Sequence, residues 1–223
     1  MQRFSRRTFI AGSVALATGS AGCLSGGDDS TPTPGIGTIA ESTTPDTEGA
    51  LPSPVAGDPE ADVTVAAYED YACPHCATYS LDVFPQLASE YLEPGRIRYE
   101  FHDFPIPVDE TVSWQAASAA RAVQVEAGSQ AYFEYSESLF GDQSNLGPDR
   151  YASLAEEVDV DGETVRQAAT EERYSETVTA DKQGGLDSGV SGTPTVFVNG
   201  SQVEWQEIAY EPLKDAIESA MGE

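Results

Sequence analysis

The chain has 223 residues, with 38 Asp and Glu against 11 Lys and Arg, a formal charge of −27. Its apolar fraction of 39% is enough to bury a core, which argues against wholesale disorder. The charge argues against a nucleic-acid surface and against electrostatic docking on anionic lipid, and three Cys with two His exclude a disulfide-dense scaffold.

The acids run from Asp28 to Glu223 without a block, so an acidic tail is not the reading. Only Lys182 and Lys214 are lysines; the other basic residues are Arg. The composition reads as a surface adapted to very high salt, with a face for cationic partners as the alternative.

Residues 1–22 contain three Arg and no acid. Ser5-Arg6-Arg7-Thr8-Phe9-Ile10 resembles a twin-arginine export signal, followed by a weakly apolar stretch too short to span a bilayer. Ala21-Gly22-Cys23 resembles the end of a lipoprotein signal, in which Cys23 would carry the lipid; Ser20 departs from the larger aliphatic residue usual there. Lipid on Cys23 also accounts for the odd cysteine. Cleavage before Cys23 removes Arg3, Arg6 and Arg7 and no acid, taking the charge from −27 to −30. Residues 23–57, rich in Gly, Ser, Thr, Pro and Asp, are expected to be a flexible tether.

The folded domain is expected over 58–223. Asp62–Tyr68 reads as a buried strand leading into Glu69-Asp70-Tyr71-Ala72-Cys73-Pro74-His75-Cys76. A helix follows, with Ala77, Leu81, Phe84, Leu87 and Tyr91 on one face and a kink expected at Pro85; Glu93-Pro94-Gly95 ends it. Arg96–Phe101 alternates as a second strand, completing a βαβ unit with parallel strands side by side. A helical insertion is expected over about 109–184. It comprises an Ala-rich helix ending near Gly128, an aromatic one through Tyr132–Phe140, one through Tyr151–Val158, and one capped by Asp161. Its aromatics read as core. Thr195–Val198 is a strand, Asn199-Gly200 a tight hairpin turn, and Tyr210–Met221 a last helix with Leu213, Ile217 and Ala220 at helical spacing. Asn199-Gly200-Ser201 is also a glycosylation triplet, for which the hairpin is the preferred reading.

The chemistry sits at Cys73 and Cys76. Half a zinc site lacks a second Cys pair, and a purely structural bridge would close a ring with little entropy to remove. A Cys-x-x-Cys pair between a buried strand and a helix start instead favours redox work. The Cys73 sulfur would face free N–H groups and the positive end of the helix, and both favour thiolate. Pro74 suits the first turn, and a protonated His75 would add positive charge. Neither a metal nor another cofactor is called for.

Cys73-Pro74-His75-Cys76 is the active-site tetrapeptide of the DsbA-like oxidases, and Gly192-Thr193-Pro194 resembles the cis-proline loop of the thioredoxin superfamily. The resemblance covers about Asp58 to Glu223. It implies a thioredoxin-like α/β fold, with the helical insertion lying between an N-terminal βαβ unit and a C-terminal ββα unit. It further implies that Cys73 attacks and links to substrate, that Cys76 is the buried resolving thiol, and that Pro194 is cis and packs on the pair, leaving the Thr193 backbone free to pair with substrate.

Two features depart from the resembled pattern. The buried acid that many relatives place six residues before the first Cys is here Ala67, with Glu69, Asp70 or solvent as substitutes. Thr193 stands where well-studied oxidases often carry Val. The expected function is a monomeric, extracytoplasmic disulfide donor, lipid-anchored at the outer membrane face or secreted. Its partners would be cysteine-containing exported proteins and a protein that reoxidises the pair. A reductase or isomerase, and a binding lipoprotein with an idle disulfide, are the alternatives. Glu69 and Asp70 are expected as exposed acids opposing thiolate formation, an effect that high salt would screen.

Overall fold

The computed structural model describes residues 49–222; the expected signal peptide, Cys23 and most of the expected tether lie outside these residues. The sheet is built around β2 (Thr64–Glu69), whose alternate residues Val65 and Ala67 are fully buried. β3 (Arg98–Asp103) runs parallel to it, with Val65 opposite Tyr99 and Ala67 opposite Phe101. β3 begins at Arg98 rather than Arg96, because the Arg96 N–H is still bonded to Tyr91 O as the preceding helix ends. On the other side of β2 lies antiparallel β4 (Thr195–Val198), joined by a tight turn to β5 (Ser201–Gln202). This is the expected thioredoxin-like frame, a βαβ unit and a ββα unit sharing one mixed sheet.

One strand lies where the composition places tether. β1 (Val55–Gly57) pairs antiparallel with β3, and the Leu51 N–H donates to Thr177 Oγ1 at 3.0 Å. Pro52 O and Ser53 meet charged side chains of the domain, so this stretch is held by polar partners that its own composition does not announce.

The helix after the Cys pair is not uniform. α1 (Pro74–Thr78) passes through a π-helical turn at Tyr79–Val83 into α2 (Phe84–Leu87), then a second π-helical turn at Ala88–Leu92. Pro85 has no N–H to give, and the ladder around it widens: Phe84 N–H reaches back to Tyr79 O and Glu93 N–H to Ala88 O. The widening turns the buried face. Leu87 and Tyr91 stay in the core, whereas Leu81, expected beside them, is 38% exposed.

The insertion consists of α3 (Glu110–Gly141), α4 (Pro148–Glu157), α5 (Gly162–Thr170) and α6 (Ser175–Asp187). The expected break at Gly128 is a kink within α3; at φ +82° and ψ −177° it holds a conformation open only to glycine. Asp109 and Asp161 cap α3 and α5 through their carboxylates. Tyr132, Tyr135, Leu139, Phe140 and Tyr151 are core residues, as expected. α7 (Tyr210–Met221) closes the fold with Leu213 and Ile217 buried, while Ala220 is exposed. In the β4–β5 turn Asn199 sits at φ +47°. Its Oδ1 accepts from Thr64 N–H at 2.8 Å and its Nδ2 donates to Asp62 O, so the amide serves the fold. Among the described residues no helix is long and apolar enough to cross a membrane.

The sheet and the insertion are joined through a buried cation. Arg121 of α3, 0% exposed, donates to Asp103 of β3 at 2.7 Å, to Asp181 of α6 at 2.5 Å, and to Pro52 O. Beside it His102 faces Asp181 and Glu100. Burial opposes protonation of His102, but the two carboxylates outweigh it and raise its pKa to about 9. Removing one partner from a buried ion pair strands the other charge, which costs about 3–5 kcal/mol. Arg121→Leu is therefore expected to lower unfolding free energy by about that amount in urea titrations. A loss under 1 kcal/mol would show that the cluster does not join the two parts.

Candidate thiol–disulfide site

β2 ends at Glu69, the chain turns through Asp70–Ala72, and α1 starts after Cys73. The turn is fastened by Asp70. Its Oδ1 accepts from Ala72 N–H at 2.8 Å, its Oδ2 accepts from Ile106 N–H at 2.7 Å and from the Ser113 hydroxyl at 2.9 Å, and its carbonyl accepts from Cys73 N–H. Asp70 thereby ties the turn to the loop after β3 and to α3.

Both cysteines are free thiols. Cys73 retains 4% exposure and Cys76 none. Cys73 is the N-cap residue of α1, with Pro74 at the first helical position and no capping side chain. The Cys73 thiol is lowered to about 5. The largest cause is the hydrogen bond from the Cys76 thiol; burial works against it, and Thr193 together with the N–H groups of Cys76 and His75 adds to the lowering. Thus the helix start contributes as expected, but His75 acts through its backbone, and its side chain lies on the surface. The Cys76 thiol is pushed well above its usual value by burial, by its bond to Cys73 and by Glu69; Asp70 N–H donates to its sulfur at 3.4 Å.

The Thr193–Pro194 peptide is cis, as the motif implied. Thr193 O lies 3.5 Å from Cys73 Sγ. The Thr193 hydroxyl is buried and has no hydrogen-bond partner among the described residues, which leaves it free to turn to the sulfur.

The expectation of exposed acids beside Cys73 is overturned: Glu69 is 1% exposed and Asp70 2%. Tyr71, Tyr79 and Tyr99 form the surrounding core, so mobile ions cannot screen these carboxyls. Glu69 Oε2 accepts from the Ser80 hydroxyl at 2.7 Å and Oε1 from the Tyr99 hydroxyl at 3.3 Å, with no cation among these partners. Burial, more than those hydrogen bonds can offset, raises Glu69 to about 8, and charge on Cys73 adds to the rise. Around neutral pH the thiolate is therefore favoured on Cys73 and the proton on Glu69. A cavity of about 20 Å³, room for roughly one water, lies along Glu69 and Ser80 and reaches Ser136 and the exposed Glu137. Of the substitutes considered for the acid missing at Ala67, Glu69 has the proton and Asp70 has the turn.

Among the described residues no group of three or more His, Cys, Asp or Glu could hold a metal ion. A residue absent from the sequence reading, Gln143, reaches the site from beyond α3. Its amide nitrogen lies 2.8 Å from Tyr71 O and 2.9 Å from Cys73 O. No motif marks it, because the contact exists only once the insertion is packed against the turn.

A family model described as thioredoxin matches residues 50–219. The Na(+)/H(+) antiporter NhaA 1 of Salinispora arenicola is 34% identical over 147 residues, 66% of this chain; the chain spans about a fifth of that protein, 21%. Disulfide bond formation protein D of Bacillus subtilis is 26% identical over 174 residues, covering 75% of this chain and 77% of that one. The oxidised crystal structure of BdbD from Bacillus subtilis superposes with a TM-score of 0.70 at 25% identity, over 77% of this chain and 94% of that one. With a matching family model across the sheet, the Cys pair and the cis-proline loop, the chain belongs to the thioredoxin family.

Proposed function

We propose that the chain is a thiol–disulfide oxidoreductase that donates disulfides to exported cysteine-containing proteins. The observation that carries this reading is the asymmetry of the pair: Cys73 is a stabilised thiolate with residual exposure, and Cys76 is a buried thiol held protonated. A stable Cys73 thiolate favours the reduced form, so the disulfide gives itself up readily.

A substrate thiolate attacks Cys73 Sγ of the oxidised pair, and the S–S bond to Cys76 breaks with Cys76 leaving as thiolate. Glu69, protonated and electrostatically coupled to both sulfurs, hands it a proton and is recharged through the cavity beside it. The second substrate thiolate then attacks the substrate sulfur of the mixed disulfide, and Cys73 leaves as thiolate, where Cys76, Thr193 and the backbone N–H groups receive it. Two electrons pass from substrate to the pair, and a partner protein reoxidises it. Thr193, beside cis-Pro194, is where an extended substrate segment would pair.

The N-terminal sequence supports a site of action outside the cytoplasm. Its twin-arginine-like signal and Cys23 support export and lipid anchoring on the outer face of the membrane, with secretion as the alternative. The acidic surface supports work at high salt, and the domain acts as a monomer. A reductase is the second reading, favoured by Thr193 where well-studied oxidases often carry Val.

The deciding measurement is the potential of the Cys73–Cys76 pair against glutathione in high salt. A value near about −120 mV is expected for a donor, whereas one near about −270 mV would make the chain a reductase. A pair that never exchanges overturns both.

Cys76→Ser should accumulate mixed disulfides on Cys73, visible on non-reducing gels, while Cys73→Ser should accumulate none. Equal trapping would reverse the roles.

The shared charge also has a signature in stability. Cys73 is ionised in the folded state from about pH 5 but near 9 when unfolded, so its contribution rises with pH across that window. Glu69 keeps its proton to about pH 8 when folded but loses it near 4.5 when unfolded, so its contribution falls as pH rises. Between pH 5 and 8 the two oppose. Relative to the reduced parent, Cys73→Ser should lose stability with rising pH and Glu69→Gln should gain it, each by about 1.4 kcal/mol per pH unit. Parallel pH profiles for all three proteins would refute this placement of the proton.

A further inference from the structure

Cys73 starts α1 without a capping side chain; its backbone is extended, at φ −82° and ψ 119°. Its own sulfur takes the place of a cap over the N–H groups of His75 and Cys76. That arrangement depends on the orientation of the cap peptide, which rotation about ψ of Cys73 would change.

The peptide is held from the insertion. Gln143 opens the 3₁₀ turn Gln143–Asn145 that follows α3. Its side chain faces two carbonyl oxygens, Tyr71 O at 2.8 Å and Cys73 O at 2.9 Å. Carbonyl oxygens only accept, so the facing atom is the amide nitrogen, and both of its hydrogens are used. Cys73 O accepts a second bond from Ala77 N–H at 3.2 Å. The cap carbonyl is thus fixed from two directions, by its own helix and by Gln143.

The turn that carries Gln143 is itself braced. Asp142 accepts from Asn145 and from Arg150, each at 2.5 Å. Phe140 packs on the Tyr71 ring at 4.8 Å between centroids, and the Tyr71 hydroxyl bonds Tyr132 and Ser136 of α3.

We infer that Gln143 is a positioning residue for the exchange reaction: by holding the carbonyls on both sides of Ala72 and Cys73, it keeps the Cys73 sulfur on the helix start and thereby sets how oxidising the pair is. The inference rests on the reading of Cys73 as the exchanging thiol. The ionisable groups coupled to Cys73, namely Glu69, Asp70 and Cys76, are not touched by a change at Gln143.

The test uses the full chain in reduced form, with Gln143→Leu, which keeps bulk but has no donor, and Gln143→Ala. The readouts are the pH midpoint of Cys73 alkylation by iodoacetamide and the equilibrium with glutathione. The midpoint should move up from about 5 by about one unit, and the equilibrium by about tenfold towards the disulfide. Gln143→Lys, which restores a donor, should return the midpoint to the parent value or below. Asn145→Ala breaks the turn's bond to Asp142 but leaves Gln143 in place, and should keep the parent midpoint. An unmoved midpoint in both the Leu and Ala variants, or an equal rise in Asn145→Ala, would reduce Gln143 to a structural contact and overturn the inference. Alkylation reads the thiolate whether or not the pair exchanges, so failure of the proposed function would show separately, as no equilibrium with glutathione.

Discussion

The division of one proton and one negative charge between Glu69 and Cys73, in a closed space, organises this protein. The end of β2, the start of α1 and the cis-proline loop converge on two sulfurs and two carboxyls, Glu69 and Asp70, that water hardly reaches. Two anions at that spot would be costly, because neither could be screened or solvated. The structure gives the donors to Cys73 and gives Glu69 two hydroxyl partners with no cation. The proton therefore sits on the carboxyl and the charge on the sulfur, the reverse of the order of their ordinary acidities.

The rest of the fold maintains that order. Asp70 spends its carboxylate on three donors from the turn, the loop after β3 and α3, which fixes where Cys73 begins its helix. Gln143 fixes the cap peptide from the far end of α3. Arg121 fastens α3 and α6 to β3, and so ties the insertion to the sheet that carries Glu69. The insertion is in this sense part of the site, although among the described residues none of its side chains is hydrogen-bonded to a cysteine sulfur. The bulk of the acidic surface is a separate matter, since Glu69 and Asp70 lie beneath it.

The strands, the Cys-x-x-Cys pair and the cap at Asp161 rest on local rules: alternation, turn chemistry, and which side chains complete a helix end; the cis-proline was implied by the resemblance of Gly192-Thr193-Pro194 to a family loop. The pattern of apolar residues around Cys73 and Thr193 was therefore readable in one dimension. Local rules failed at Leu81, because a proline-driven widening of the helix rotates its face, and at residues 55–57, where a low-complexity stretch gains a strand from β3.

What the sequence determined by itself was the identity of the candidate site: a Cys pair at a strand–helix junction, a proline loop to cover it, and an insertion between the two. What only the tertiary structure decided was the state of those atoms. Whether Glu69 is a charged surface acid or a buried carboxyl that keeps its proton depends on the packing that buries it and gives it Tyr99 as a partner, and the hold on Cys73 depends on Gln143 arriving from 70 residues away in sequence. Desolvation and hydrogen-bond partners are properties of packing, and composition cannot assign them.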